Sequence, residues 1–188
     1  PTAATDGRNL YYNSEFFSKM PQKQIEFIVG HEVLHLVYDH MGRNGDRDKR
    51  LFNCAADYCV NQDLLDQRIG ERPKVGLFDP KFKGWSAEEV YDYLYENAEK
   101  INIDDLVKQI IDEHLDGEDG EGEGETDTDG KGKSGRPSPM SAEERKQLRD
   151  EIREAVLAAA ETAGTGNLPA GVKRMINALT NPQMNWRE

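Results

Sequence analysis

The stretch HEVLHLVYDH, residues 31–40, decides how this chain reads. It holds two histidines four apart with a glutamate directly after the first, the His-Glu-x-x-His arrangement. A helix advances about 100° per residue, so His31 and His35 project from one face, about 40° apart. Both imidazoles can then reach one metal ion, with Glu32 beside them to handle a proton. Zinc suits such a set, because it takes neutral imidazoles and keeps a position open for water, whose pKa it lowers toward about 7. Glu32 is the residue expected to take that water's proton and pass it to a leaving group.

The flanking residues support a helix. Pro21 fits a first helical turn and Gly42 a stop, so one continuous helix is predicted from about Met20 to Met41. Ile25, Ile28, Val29, Leu36 and Val37 supply an apolar stripe that Val33 and Leu34 widen, the pattern of a core helix. Gly30 leaves room for another backbone to pack closely. A polar loop over residues 42–50 leads to a second predicted helix, Leu51 to Gln67, reading LFNCAADYCVNQDLLDQ. Within it Asp57 and Asn61 stand four apart, on one face.

Further elements follow in both directions. Residues 3–13 read as a short strand pair turning at Asp6-Gly7. Ser86 and Glu89 form a capping box that opens a helix over residues 87–98, with Trp85 and Val90 placed as a hydrophobic staple. A weaker helix is predicted from about Asp104 to Leu115. Ser141 caps a long helix ended by Gly164 and Gly166, and LPAGVKRMINAL makes a last short one.

Composition bounds the function. The chain has 188 residues, a net charge of −12, 36% hydrophobic and 32% charged residues. Much of the polar excess is local: from Asp116 to Arg136 there are eight acids against three bases. Residues 116–139 contain no aliphatic or aromatic side chain, so they are expected to form a disordered acidic linker. That divides the chain into a core over 1–115, the linker over 116–139, and helices of the same domain over 140–188. Without clustered Lys and Arg, a nucleic-acid partner is not expected. No apolar run approaches the roughly 20 residues that span a bilayer, so no membrane partner is expected either. Cys54 and Cys59 lie five apart on one predicted helix and point in different directions, which disfavours a mutual disulfide and suits a reducing, cytoplasmic location.

Two histidines need a further protein ligand. His40 is nine residues from His31, about 180° round a continuous helix, and no glycine stands between it and His35 to break that helix. His114 sits beside the acidic linker, where exposure is expected. Glu88 and Glu89 are explained as first-turn acids of a capped helix. Asp57 is the best candidate, because a carboxylate in the middle of AADYCV is expensive to bury without a partner and zinc would supply one. A buried salt bridge is the alternative. Asn61, one turn on, is placed to orient a ligand, and Asp39, one turn beyond His35, to accept that ring's second N–H. For an oxyanion stabiliser, Tyr11, Tyr12, Tyr38 and His40 remain equal candidates.

The runs HEVLHLVYDHMGR, LFNCAADYCVNQDLL and GWSAEEVYDYL together resemble the metallopeptidase domain found N-terminal to a von Willebrand factor A-like domain in bacterial and phage proteins. TDGRNLYYN near the start and LPAGVKRMINALTNPQMNWRE at the end resemble parts of the same family. The resemblance implies an α+β, mainly helical, zincin-like metallopeptidase with a small N-terminal β element along its cleft. It implies a catalytic pattern carried by His31, Glu32, His35 and Asp57, with Zn2+ as cofactor and a peptide or protein as substrate. It also implies a downstream domain beginning near Glu188 and an AAA-type ATPase as a working partner. The rival expectation is a non-catalytic zinc-binding scaffold serving those same partners.

Overall fold

A computed structural model describes residues 3–5, 8–110, 140–164, 166 and 168–180. The predicted linker, His114 and the Asp6-Gly7 turn lie outside the described residues. The fold is mainly helical. Its elements run β1 (Ala3–Thr5), β2 (Leu10–Tyr12), α1 (Ser14–Phe17), α2 (Gln22–Val37), α3 (His40–Arg43), α4 (Lys49–Gln67), α5 (Ala87–Glu96), α6 (Ile103–Val107), α7 (Ala142–Ala163) and α8 (Ala170–Thr180), with a 3-10 turn at Pro80–Phe82.

The strands pair antiparallel, Ala3 opposite Tyr12 and Thr5 opposite Leu10, as expected. Strand β1 lies against α2, and Ala3 joins a buried cluster with Phe27, Ile28, Leu34, Val60 and Leu64. The centre of the molecule, however, is α4 rather than α2. Val29 and Val33 of α2 are 37% and 49% exposed, so the predicted stripe is buried on one side only. Helix α4 buries residues all round, from Leu51 and Phe52 to Asp63 and Leu64. Its small residues Cys54, Ala55, Ala56 and Cys59 lie in a second cluster that packs α4 against α5 through Ala87, Val90 and Leu94. Small side chains let two helices approach closely, and each large apolar side chain fully buried between them contributes about 1.5–3 kcal/mol. Both cysteines are buried and unpaired with each other, as expected.

The local signals at helix ends hold where they were clearest. Ser86 and Ser141 each cap their helix in a reciprocal box, with Glu89 and Glu144 respectively. Trp85 meets the rings of Phe82 and Tyr93. Gly164 closes α7 at φ 75°. Gly30 makes room for side chains rather than backbone: a Cβ there would meet Leu64 and Ile69 side-chain carbons at 3.0 and 3.4 Å.

One expected feature is overturned. The helix predicted to run unbroken to Met41 ends at Val37, and Asp39 adopts a left-handed conformation, φ 51° and ψ 43°. The chain turns there and restarts as α3, so Gly42 lies inside a helix rather than at its stop. A non-glycine residue in this conformation is uncommon but tolerated by Asp, whose short polar side chain can bond the local backbone.

Candidate metal centre

Helices α2 and α4 build the site by running antiparallel. As the number rises along α2, it falls along α4: Gly30 lies by Leu64, His31 by Asn61, and His35 by Asp57. That register sets the two imidazoles of α2 against the carboxylate in the middle of α4. Their nitrogens and oxygen form a compact triangle. His31 Nε2 and His35 Nε2 are 3.1 Å apart, and Asp57 Oδ1 lies 3.8 Å from the first and 3.4 Å from the second.

Those lengths test whether a metal fits. Zinc ligands at about 2.0–2.2 Å in a tetrahedron stand about 3.3–3.6 Å from one another. The three edges bracket that value. Two imidazole nitrogens and one carboxylate oxygen are also a donor set that zinc accepts. Among the described residues, His31, His35 and Asp57 are the group of His, Cys, Asp or Glu placed to hold a metal ion. They fit one.

Burial and hydrogen bonding shape the centre further. His31, His35 and Asp57 are 0%, 1% and 0% exposed, and Glu32 is 3% exposed. Asn61 performs the orienting task expected of it. Its Nδ2 donates to the Leu77 carbonyl at 2.9 Å, which fixes the amide so that Oδ1 faces His31 Nδ1 at 2.8 Å. The oxygen can only accept, so His31 Nδ1 carries the proton and Nε2 turns its lone pair toward Asp57 and His35. This is the form of a metal-binding histidine.

Two expectations for the residues after His35 are corrected. Asp39 does not bond His35; it faces the Gly42 amide and lies 3.9 Å from Arg149 of α7. Its carboxyl is raised from the ordinary value by burial, against the pull of Arg149 and Arg153. His40, set aside on the assumption of a continuous helix, is brought back by the turn at Asp39. Its Nδ1 lies 3.2 Å from His35 Nδ1, and its ring is buried among His35, Tyr38 and Phe52. The signal that could have found this contact was Asp39 itself, one of the few residue types that breaks a helix in the left-handed region without glycine.

Other candidates resolve into supporting roles. Tyr38 donates to Asp63 Oδ2 at 2.7 Å. Burial, with Asp63 beside it, pushes the phenol well above its usual range, so it stays a neutral donor. Tyr12 is exposed on the strand pair. Glu88 accepts from Arg43 through both oxygens, tying α3 to α5. Burial pushes the Cys54 and Cys59 thiols up to about 12, so they stay protonated and poorly nucleophilic near neutral pH.

Comparison with known proteins adds three findings. An "Uncharacterized protein" of Thermotoga maritima is 24% identical over 196 residues, an alignment covering 95% of this chain and 45% of that protein. The chain therefore spans less than half the length of this relative. No solved structure matches the chain. The family model described as "Putative metallopeptidase domain" matches residues 1–188, and the chain belongs to that family.

Proposed function

We propose that the protein is a zinc-dependent metallopeptidase in which His31, His35 and Asp57 hold the ion and Glu32 is the general base. The observation that carries this reading is the ligand count. Among the described residues, two imidazoles and one carboxylate at tetrahedral spacing make up the set and leave a fourth position for water, whereas structural zinc sites close all four with protein groups. When bound, zinc supplies Lewis acidity, lowering the pKa of a water and polarising a carbonyl oxygen. The chain's own residues do the rest. Glu32 follows His31 on α2 and accepts a proton, then returns it to the leaving amine. The buried surroundings strengthen every charge interaction in the centre. Asn61 holds His31 in its metal-binding form.

A zincin-like architecture agrees with the His-Glu-x-x-His helix, and the β1–β2 pair against α2 suits an extended peptide added along its edge. The resemblance noted above supports a von Willebrand factor A-like domain and an AAA-type ATPase as partners.

The near-complete burial of Glu32 and all three ligands favours a second reading, a non-catalytic zinc scaffold. Glu32→Gln separates the two. A peptidase loses nearly all turnover of a fluorogenic peptide library while keeping about one zinc per chain. A wild-type protein that binds zinc yet cleaves nothing in that library, with the variant unchanged in every property, sinks the catalytic reading.

A further inference from the structure

We infer that His40 is a positioning residue for the metal centre, accepting the Nδ1–H of His35 and so directing His35 Nε2 toward Asp57. The inference rests on the zinc reading above and extends it to a side chain that binds no metal itself. His35 Nε2 lies 3.4 Å from Asp57 Oδ1 and 3.1 Å from His31 Nε2, so its lone pair must point there if a metal is held. A neutral imidazole with its lone pair on Nε2 carries its proton on Nδ1, and that proton needs an acceptor when buried. His40 Nδ1 lies 3.2 Å from His35 Nδ1, within reach of that proton. A neutral His40 protonated on its other nitrogen accepts it. His31 and His35 would then be held by one design, each giving its Nδ1–H to a buried acceptor, Asn61 for the first and His40 for the second.

The backbone shows how His40 gets there. On an unbroken helix its ring would point away from His35's face. Asp39 at φ 51° redirects the chain. A Cβ on Gly42 would lie 2.5 and 2.7 Å from the two Asp39 carboxylate oxygens. The left-handed turn at Asp39 is what brings His40 beside His35. The ring is then fixed edge-on against Phe52 and Tyr38.

The test compares zinc affinity, by competition with a chromogenic chelator, in wild type, His40→Ala and His40→Asn. The Asn amide oxygen falls near the position of Nδ1 and can accept the same proton. His40→Ala is expected to weaken zinc binding about 10–100-fold, and His40→Asn to recover most of that loss. The Co2+-substituted proteins should show the same order, with altered visible absorption in the Ala variant and a near-wild-type spectrum in the Asn variant. Affinity within threefold of wild type for His40→Ala overturns the inference, as does an Asn variant as weak as Ala at unchanged helix content. A measurement on zinc-loaded wild type needs no variant: imidazole 15N resonances should show His35 protonated at Nδ1, and an unprotonated Nδ1 overturns the assignment. Wild type that takes up no zinc is a different result, because it removes the metal reading on which this one stands.

Discussion

Asn61 Oδ1 sits 2.8 Å from His31 Nδ1, while the same amide donates to the Leu77 carbonyl at 2.9 Å. One side chain thus joins the loop after α4 to a histidine of α2, and all three groups are buried. Replacing it with a similar-sized apolar residue strands a donor and an acceptor together. Asn61→Leu should cost about 1–3 kcal/mol per stranded group, read by denaturant unfolding of the metal-free protein. It should also weaken zinc binding about 10–100-fold. Asn61→Asp keeps the acceptor for His31 and should retain most of the affinity. Equal affinity in Asn61→Leu and wild type would show that His31 needs no orienting partner.

In the proposed centre Asp57 is the third donor, and its contribution can be read through folding. A ligand that binds only the native state stabilises it by about 4 kcal/mol at a thousand times its Kd. Zinc should therefore raise the melting temperature of wild type, and Asp57→Ala should abolish most of that rise. The control is Asp66→Ala, which changes an exposed residue on the same helix whose carboxylate bonds Lys83 outside the site. If Asp57→Ala shows the full zinc-dependent shift, the carboxylate is not a ligand.

How much of this was legible in the sequence depends on the range of the forces involved. His31 and His35 share a face because of helical pitch, and Ser86 and Ser141 cap because of bonds within four residues; such features need no tertiary information. Asp57 was legible for another reason, since a carboxylate in an apolar run demands a partner wherever it ends up. Asn61 followed from its spacing to Asp57. The turn at Asp39 had only a weak local signal, because Asp tolerates the left-handed region without requiring it. Its left-handed conformation fits the nearby groups, with the Gly42 amide facing the carboxylate and Arg149 close by on a helix more than a hundred residues away. The same blindness to distant packing hid how the cluster with α5 makes α4 the central helix.

Gly171 is where α8 docks. A Cβ there would stand 2.5 Å from Tyr38 Cζ and 2.8 Å from its hydroxyl oxygen. Tyr38 cannot easily yield, because its hydroxyl is committed to Asp63. Gly171→Ala should therefore cost about 1–3 kcal/mol through overpacking. For a protein of this size that is a fall of roughly 2–4 °C in Tm per kcal/mol, measured by thermal melting. Arg174, which donates to the Gly84 and Trp85 carbonyls from the same helix, gives a comparison without a clash. Arg174→Ala should destabilise less than Gly171→Ala. The reverse order would mean that the polar contacts, not the close approach, hold α8 in place.

Asp63 lies beneath that docking point, and it predicts a dependence on pH. Burial raises its carboxyl above the ordinary 3.8, only partly offset by the hydrogen bonds from Tyr38 and the Gly171 amide. Between 3.8 and the raised native value, the native state holds this proton more tightly than the unfolded chain does. Stability from this group therefore falls as pH rises through that window, and the full penalty persists above it. Asp63→Asn keeps an acceptor for Tyr38 but has nothing to titrate. The stability of wild type relative to Asp63→Asn should accordingly be more favourable near pH 4 than at pH 7. Taking the difference at each pH cancels the exposed carboxylates that both proteins share. Paired urea titrations at the two values measure it. A difference that is flat, or that grows in favour of wild type toward pH 7, would mean that the hydrogen bonds to Asp63 outweigh its desolvation.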